Sequence, residues 1–210
     1  MLSEIPKQFH LLNGKPILLH SLEAFVHAIP GLEIIVVLPD DHIGTWKEIL
    51  NLYQANMAHT IVTGGETRFL SVKNGLKCIT KPGLVAVHDG VRPLITKEGI
   101  SRLFAEAEKF ESAVPVIAIN DTVRQTMGEN SRVIDRNELR LVQTPEIFHS
   151  DILLEAYERP ESAAFTDVTS VVESAGYSKI HLCEGEAENI KITRPIDFLM
   201  AEAILKQRQA

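Results

Sequence analysis

The stretch HTIVTGGETRFLSVKNGLKCITKPGLVAVH, residues 59–88, decides the fold class of this chain. Two short apolar runs, HTIV at 59–62 and LVAVH at 84–88, enclose a segment near 68–79 with helical spacing of its apolar residues. Short β-branched runs bounded by turn residues are typical of buried parallel strands, and a helix between two of them makes a βαβ unit. The stretch therefore predicts two parallel strands connected by a helix.

The same alternation continues on both sides of this stretch. EIIVVL at 33–38 precedes a helical pattern near 44–56, and a second helical pattern near 97–110 precedes AVPVIAI at 113–119. We therefore predict an α/β fold, a mostly parallel Rossmann-like sheet with helices on both faces. The 210 residues, of which 45% are hydrophobic, suffice for the core of one domain, 1–210. The remaining predicted elements are a helix from about Pro16, a strand at 139–144, helices near 149–158 and 167–175, a strand at 179–183 and a helix from Pro195.

Residues 121–136, DTVRQTMGENSRVIDR, interrupt the alternation. Two extended polar segments flank a Gly-Glu-Asn-Ser turn, which is the pattern of a β-hairpin. Such a hairpin has too little apolar surface to be stable alone. We therefore predict a protruding β-arm that needs another surface to lie against.

Charge and composition exclude several classes of function. The net charge is −7 and the isoelectric point is near 5.6, so broad nucleic-acid binding is not expected, although a local basic pocket could still bind a small phosphorylated molecule. No apolar run approaches the roughly 20 residues of a membrane span, and no basic segment followed by an apolar one opens the chain. Cys78 and Cys183 lie far apart, which predicts no disulfide framework and a reducing cytoplasm.

Charged residues follow the predicted strand at 84–88. Asp89 and Arg92 come directly after it in HDGVRP, and ligands of open α/β sheets bind at the carboxyl ends of strands. Gly90 between them would let a ligand approach the backbone closely. The alternative is an ion pair of Asp89 with Arg92 on a solvated loop.

A second candidate site opens the helix near 68. VTGGETRFLSV at 62–72 follows a strand, so free backbone N–H groups and the positive end of the helix dipole would face a bound anion. The stretch is neither a G-x-G-x-x-G fingerprint nor a P-loop. A plain Gly-Gly turn before a helix capped by Thr67 explains it equally well.

Further basic and hydroxylic residues occur at or near predicted strand ends. Each alone has the appearance of a solvated or capping group, but together they suit phosphate binding. They are Thr122, Arg124, Arg136, Thr144, Thr166, Lys191, Thr193 and Arg194. Lys7 is a separate candidate just after Pro6 in a non-helical segment, where a solvated surface charge is the alternative. There is no G-x-S-x-G elbow, and the eight histidines lack the short spacing of a zinc site, so neither nucleophilic nor zinc catalysis is predicted.

Between residues 3 and 206 the chain carries, in this order, the motifs PKQF, GKPIL, HSLEAF, GGETRFLSV, VHDGVRP, IDRN, QTP, TD and NIKITRP. This ordered set resembles the 2-C-methyl-D-erythritol 4-phosphate cytidylyltransferase family of isoprenoid precursor biosynthesis. Related polyol-phosphate cytidylyltransferases share PKQF, HD-x-x-RP and QTP, so ribitol 5-phosphate stays open as the acceptor. NIKITRP and IDRN favour the methylerythritol enzyme.

The resemblance implies a homodimeric enzyme that joins CTP to 2-C-methyl-D-erythritol 4-phosphate and releases pyrophosphate. It implies Mg²⁺ as cofactor, held mainly through the CTP phosphates, and leaves open whether Asp89 touches the metal or only the acceptor. The implied catalytic residues are Lys7, Arg136 and Lys191. The implied cytidine-side residues are Gly64, Gly65, Glu66, Arg68, Ser71 and Gly90. The implied sugar-phosphate residues are Asp89, Arg92, Thr122, Arg136, Thr144, Thr166 and Lys191, with Thr122 and Arg136 on the arm of the second subunit.

The chain departs from the family pattern at its beginning. The family opens with a strand and a glycine-rich loop of the type A-A-G-x-G-x-R-M, which holds the triphosphate, and Met1 falls about where that loop ends. We therefore expect the first strand, the phosphate-binding loop and a second transition-state cation to be missing. Two explanations stay open, a shortened sequence or a degenerate relative that binds CTP poorly, and the second admits a non-catalytic dimeric binding module.

Overall fold

The structure, a computed structural model, describes residues 6–208. The helices are α1 (Ile17–Ala28), α2 (Asp40–Leu52), α3 (Arg68–Leu76), α4 (Lys97–Phe110), α5 (Ser150–Ala156), α6 (Val168–Ser174) and α7 (Pro195–Arg208). The strands are β1 (Leu11–Leu12), β2 (Lys15–Pro16), β3 (Ile35–Leu38), β4 (Thr60–Thr63), β5 (Leu84–Val87), β6 (Ser112–Ala118), β7 (Val123–Met127), β8 (Asn130–Ile134), β9 (Arg140–Val142), β10 (Glu146–His149) and β11 (Leu182–Glu184). None of the helices in this range is both long enough and apolar enough to span a bilayer.

The main sheet has five strands. Its order is β11-β6-β10-β5, and β9 pairs with the far end of β6. β11 is parallel to β6, whereas β10 is antiparallel to both β5 and β6, so β5, β6 and β11 run in one direction. β3 and β4 form a separate parallel pair. The predicted common direction thus holds for the strands of the βαβ alternation.

The antiparallel strand β10 corrects the sequence-based expectation of a mostly parallel sheet. Residues 146–149 were not expected to form a strand, and the strand expected at 139–144 is only the three-residue β9 at the sheet margin. A run of four residues directly after Pro145 is too short to show the alternation that identifies a strand. Pairing with β5 and β6 on its two sides, and not local pattern, holds β10 in place.

Helices cover both faces of the main sheet, as predicted. Along β5, Val85 and Val87 pack against a core that α3, α5 and α6 complete. Leu84 and Ala86 point the other way and pack against a core built from α1 and α4. Successive side chains of a strand face opposite sides of a sheet, so an uninterrupted apolar run fits a strand buried on both faces.

A cavity of about 670 Å³ separates β3 from β5. Residues 34–39 form one wall and residues 82–91 the other, while α1 and α3 close the two faces. Among residues 6–208, the edges of β3 and β5 that face this cavity have no strand partner. The two strands are parallel, because Lys81 meets Glu33 at 3.8 Å beside their amino ends and Arg68 meets Asp89 at 3.6 Å beside their carboxyl ends. We call this cavity the inter-strand slot.

β7 and β8 form an antiparallel hairpin over the predicted arm. Nearly all of its residues are exposed, including the large apolar side chains of Met127 and Val133. Its own contacts are polar, since the Arg124 guanidinium donates to the hydroxyl and carbonyl oxygens of Ser131. The hairpin therefore buries little apolar surface within this chain.

Candidate active site

Three cationic side chains converge on the carboxylate of Asp89, just beyond the end of β5. Lys191 Nζ lies 3.0 Å from Asp89 Oδ2, Arg92 Nε lies 3.4 Å from the same oxygen, and Arg68 Nη2 lies 3.6 Å from Oδ1. The side chains of Asp89 and Arg92 are only 14% and 11% exposed, whereas those of Lys191 and Arg68 reach solvent. We call these four residues the Asp89 cluster. It concentrates positive charge in a chain whose net charge is −7.

The Asp89 cluster is charged at neutral pH. Burial alone would raise the pKa of Asp89, but Lys191, Arg68 and Arg92 together lower this pKa below its usual value. Burial lowers the pKa of Arg92, against the opposing effect of Asp89, and a guanidinium remains protonated after such a shift. Three cations face the carboxylate of Asp89 and that of Glu146, which lies 3.6 Å from Arg68, so an excess of positive charge remains and favours binding of an anion.

A partly buried histidine holds the loop that carries Asp89. His88 Nε2 donates to the Arg92 carbonyl oxygen at 3.0 Å, and the Thr144 hydroxyl lies 3.1 Å from His88 Nδ1. Because Nε2 donates to a carbonyl oxygen, Nδ1 of the neutral ring is the acceptor, so the Thr144 hydroxyl donates to Nδ1 while it accepts from the Asp89 N–H at 3.0 Å. Burial lowers the pKa of His88 to about 4, which keeps the ring neutral and able to donate from one nitrogen and accept at the other.

The segment before α7 closes over this loop. Ile192 N–H donates to the Val91 carbonyl oxygen at 2.9 Å, and Arg92 Nη1 donates to the Asn189 carbonyl oxygen at 2.8 Å. The exposed Lys7 side chain joins the same segment, since its Nζ donates to the Thr193 carbonyl oxygen at 3.0 Å. Lys7 and Arg92, which are far apart in the sequence, thus both contact the segment before α7.

Asp197 in the first turn of α7 fixes this segment from the other side. Its Oδ2 accepts from the backbone N–H groups of Thr193 and Arg194 at 2.8 and 2.7 Å, and from the Thr193 hydroxyl at 3.1 Å. These hydrogen bonds lower the pKa of Asp197, most strongly the bond from the Thr193 N–H. The carbonyl oxygen that receives Lys7 is therefore held in place.

The Gly64–Gly65 turn before α3 is tightly packed. Gly65 N–H donates to the Ser71 hydroxyl at 3.1 Å, and Thr67 caps α3 by accepting from the Leu70 N–H at 3.2 Å. A Cβ at Gly65 would lie 2.4 Å from Leu70 Cβ, and one at Gly64 would lie 3.0 Å from Ser71 Oγ. The turn thus requires glycine for lack of space. Gly90 lies across from it against Leu18, whose Cδ1 would be 3.1 Å from an added Cβ.

Some predicted site residues lie apart from the Asp89 cluster. Arg136 and Thr122 are exposed at the base of the hairpin, where Arg136 donates to the Asn120 carbonyl oxygen. Glu66 is exposed in the turn before α3, and Thr166 is exposed before α6. Within this chain, Arg68, Arg92 and Lys191 come together around Asp89. The predicted residues of the arm do not join them.

Sequence reasoning missed two polar residues of the site, the partly buried His88 and the buried Glu146. His88 was noted only as the end of a strand, and Glu146 was not noted, yet Glu146 is fully buried 3.6 Å from Arg68. One available signal was the position of Glu146 directly after the QTP motif. Nothing in the pattern distinguished it from a surface carboxylate.

No group of three or more His, Cys, Asp or Glu side chains able to hold a metal ion occurs within residues 6–208. The Asp89 carboxylate is already surrounded by cations, which makes it a poor additional ligand for a divalent ion. The donor set fits a Mg²⁺ ion that arrives on nucleotide phosphates better than one held by the protein alone.

Comparison with known proteins agrees with this geometry. Residues 1–207 match the family described as IspD: 2-C-methyl-D-erythritol 4-phosphate cytidylyltransferase. The chain is 44% identical over 203 residues to the Bacteroides thetaiotaomicron protein of that name, covering 97% of this chain and 92% of the relative. It is 46% identical over 205 residues to the protein of the same name from Azobacteroides pseudotrichonymphae, covering 98% and 92%. A crystal structure of the Thermus thermophilus protein of that name superposes with a TM-score of 0.77 at 33% identity, covering 96% of this chain and 94% of the other.

The chain is an enzyme of the nucleotidyltransferase class. This assignment follows from the α/β sheet covered on both faces, from the cation cluster at its strand ends and from these relatives. The resemblance noted from the motifs is confirmed over the whole chain. The chain belongs to the 2-C-methyl-D-erythritol 4-phosphate cytidylyltransferase family.

Proposed function

We propose that this enzyme transfers the cytidylyl group of CTP to 2-C-methyl-D-erythritol 4-phosphate and releases pyrophosphate. The observation that carries the proposal is the convergence of Lys191, Arg92 and Arg68 on Asp89 at the carboxyl end of β5. Both substrates are anions, and a site with fixed excess positive charge overcomes their mutual repulsion. The relatives' names support the identity of the substrates.

In the reaction, a phosphate oxygen of the acceptor attacks the α-phosphorus of CTP. The bond from the α-phosphorus to the bridging oxygen breaks, and pyrophosphate leaves with the electron pair. No side-chain nucleophile is needed, because positioning and charge stabilisation supply most of the catalysis in such transfers. We assign the charge stabilisation to Lys7, Lys191 and Arg136.

For CTP we propose the side of the site formed by the Gly-Gly turn and the start of α3. The turn at Gly64 and Gly65 presents backbone groups before α3, because packing against Ser71 and Leu70 leaves no room for side chains there, and Arg68 reaches from α3 toward Asp89. The proposed nucleotide residues are Gly64, Gly65, Glu66, Arg68, Ser71 and Gly90.

For the sugar phosphate we propose the opposite side of the Asp89 cluster. Lys191 and Arg92 supply cations for the phosphate, Asp89 supplies acceptor oxygens for hydroxyl groups, and Thr144 holds the Asp89 backbone N–H in place beside them. Thr166 completes this side from the turn before α6.

We propose that Thr122 and Arg136 act on the site of a second copy of the chain in a homodimer. Support comes from the exposed hairpin, whose Met127 and Val133 side chains are 49% and 60% exposed. Leu141 and Val142 of β9 are further exposed apolar side chains. Contact with a partner would cover this apolar area and place the arm against another subunit.

Mg²⁺ bound to the CTP phosphates would neutralise part of the charge that develops on pyrophosphate. The chain's own cations orient the phosphates, and Asp89 keeps these cations in place. For location we propose the reducing cytoplasm, supported by the free thiols of Cys78 and Cys183.

We also propose that the inter-strand slot receives an extended apolar strand, as the family's first strand would require. The facing edges of β3 and β5 offer backbone groups on both sides, and Leu22 and Leu76 line the two helical faces. A strand running parallel to β3 and β5 would emerge beside Arg68 and Asp89, which line the slot at their carboxyl ends. That is where a loop for the triphosphate is needed.

The slot proposal is tested by joining an apolar strand of about five residues and a glycine-rich loop ahead of Met1. We expect a higher midpoint of thermal unfolding and tighter CTP binding. The matched control carries proline in the centre of the added strand, since proline cannot donate to a neighbouring strand. Equal unfolding midpoints of the two proteins would contradict the proposal.

The reaction itself is tested by pyrophosphate release with CTP, Mg²⁺ and a panel of acceptors. We expect 2-C-methyl-D-erythritol 4-phosphate to give the highest kcat/KM and ribitol 5-phosphate a much lower one. Calorimetric titration with CTP and Mg²⁺ distinguishes an enzyme from a purely structural dimeric module, which would give no binding heat.

A further inference from the structure

Glu146 is a buried carboxylate between the two sides of the site. It is 0% exposed at the first position of β10 and pairs in register with Val87, next to His88. Its Oε1 accepts from the Val168 N–H at 3.2 Å. Its Oε2 accepts from the Thr169 N–H at 2.8 Å and from the Thr169 hydroxyl at 2.7 Å. Glu146 therefore holds the start of α6, directly after Thr166.

The same carboxylate faces Arg68. Arg68 Nη2 lies 3.6 Å from Glu146 Oε1 and 3.6 Å from Asp89 Oδ1. The guanidinium is thus placed between two carboxylates, one just beyond the end of β5 and one on the neighbouring strand β10. A shift of either carboxylate would change the position of Arg68 at the mouth of the site.

Capping of α6 does not account for this arrangement. Asp167 already caps the helix, because its Oδ1 accepts from the Ser170 N–H at 2.8 Å and the Ser170 hydroxyl accepts from the Asp167 N–H at 3.3 Å. Glu146 takes the two N–H groups that this capping box leaves free, and a neutral acceptor could do the same. The oppositely charged partner of Glu146 is Arg68.

Burial also makes the charge costly. It raises the pKa of Glu146, and the negative charge of Asp167 raises this pKa further, although hydrogen bonds from Thr169 and Val168 act in the opposite direction. An ionised buried carboxylate is retained at a cost to stability unless its partners compensate. Arg68 and the three donors are those partners.

We propose that Glu146 is a positioning residue that couples the nucleotide side of the site to the acceptor side. It sets Arg68 on one side and the turn bearing Thr166 on the other. What the two sides bind rests on the proposed function, whereas the coupling itself concerns only residues of this chain.

The first test is Glu146→Gln, which keeps the shape and replaces one acceptor oxygen by a donor. Whichever way the new amide is turned, its NH₂ group faces other hydrogen-bond donors. These are either Arg68 and the Val168 N–H, or the Thr169 N–H and hydroxyl. We expect amide hydrogen exchange at Val168 and Thr169 to become about tenfold faster in the ligand-free protein. The matched control is Glu155→Gln, since Glu155 is exposed on α5 and accepts from the Tyr177 hydroxyl; this variant should exchange like wild type.

The second test measures the coupling through Arg68. Glu146→Gln should raise the Kd for CTP and for the sugar phosphate by about five- to tenfold each. With Arg68→Gln already present, adding Glu146→Gln should change the CTP Kd by less than twofold, because both variants remove the same interaction. A residue with only a structural role would give additive effects.

A pH series adds a readout specific to the charge. Protonation of Glu146 in wild type removes the same negative charge that Glu146→Gln removes. The ratio of the Kd of the variant to the Kd of wild type should therefore fall toward one as pH decreases. Unchanged exchange at Val168 and Thr169 overturns the proposal, and so do additive effects with Arg68. If wild type binds neither ligand, the proposed function fails, and the exchange measurement, which needs no ligand, still decides whether Glu146 holds the turn.

Discussion

Lys191 and Asp89 form the shortest ion pair of the site, at 3.0 Å, although they lie on segments that are remote in the sequence. Asp89 follows β5, and Lys191 lies in the segment that Asp197 holds at the start of α7. Folding thus gathers cations that are dispersed through an acidic polypeptide. A phosphate entering this cluster would share Lys191 with Asp89 instead of meeting an unpaired lysine, so the site is organised before the ligand binds.

Lys7→Ala is expected to reduce kcat by about 10²–10³ and to leave the fold intact. Lys7 is exposed and donates a hydrogen bond to the Thr193 carbonyl oxygen, so its removal disturbs little packing. Steady-state pyrophosphate release measures the effect. Lys97→Ala is the control, because Lys97 is exposed on α4 and pairs with Glu98; near-wild-type turnover of the Lys7 variant would refute the assignment.

Arg136→Ala is expected to weaken the use of the sugar phosphate while CTP binding is preserved. Arg136 is exposed beside Asn120 and outside the cluster around Asp89, so its effect should reach only the acceptor side of a second subunit. Separate calorimetric titrations with the two substrates measure this. Arg132→Ala, which removes another arginine of the same hairpin that bonds Gln125, should change neither titration. A weaker CTP affinity in the Arg136 variant would count against this placement.

His88→Gln is expected to flatten the dependence of stability on pH. The pKa of His88 is about 4 in the folded protein and about 6.5 when unfolded. Between these values the unfolded chain binds more protons, so stability is lost as pH falls from 6.5 toward 4, by about 3 kcal/mol over the whole window.

Urea unfolding of wild type and variant across this pH range isolates the contribution of His88, since other groups titrate in both proteins. His27→Gln serves as the control, because His27 is an exposed histidine of α1. Parallel stability curves for wild type and the His88 variant would show that the ring titrates equally in both states.

Gly65→Ala is expected to cost about 1–3 kcal/mol of stability and to weaken CTP binding. The added Cβ would lie 2.4 Å from Leu70 Cβ, so the turn before α3 must shift. Gly44→Ala is the control, since no atom lies within 4 Å of a Cβ there, and a helix favours alanine over glycine by up to about 1 kcal/mol. Urea unfolding and CTP titration measure both effects, and a Gly65 variant as stable as wild type would contradict the packing argument.

The βαβ alternation was predictable because β3, β4 and β5 are short β-branched runs and each is followed by a helical pattern. Their common direction and the two covered faces follow from general rules of such sheets. β10 was not predictable, because the four residues at 146–149 gain their partners only when β5 and β6 are already in place. At β10, pairing with strands that are distant in the sequence decides the structure, and the local sequence pattern does not.

The candidate site was partly predictable for a similar reason. Asp89, Arg92 and Arg68 follow strands or open helices, and strand ends of one direction meet at one edge of a sheet. The role of His88 depends on hydrogen bonds to Thr144 and Arg92, and that of Glu146 on burial against α6. Neither burial nor tertiary hydrogen bonding is encoded in the spacing of residues along the chain.

The inter-strand slot has a mechanical consequence for the molecule. Within residues 6–208, β3 and β4 are attached to the rest of the fold by side-chain packing, such as Leu22 of α1 against Val36 and Gly75 of α3 against Val37, and not by a backbone ladder to β5. Packing without a ladder yields to local opening more readily than a continuous sheet does. While the slot is open, the β3–β4 unit can therefore detach before the five-stranded sheet melts, whereas a strand bound in the slot would make the two parts unfold together.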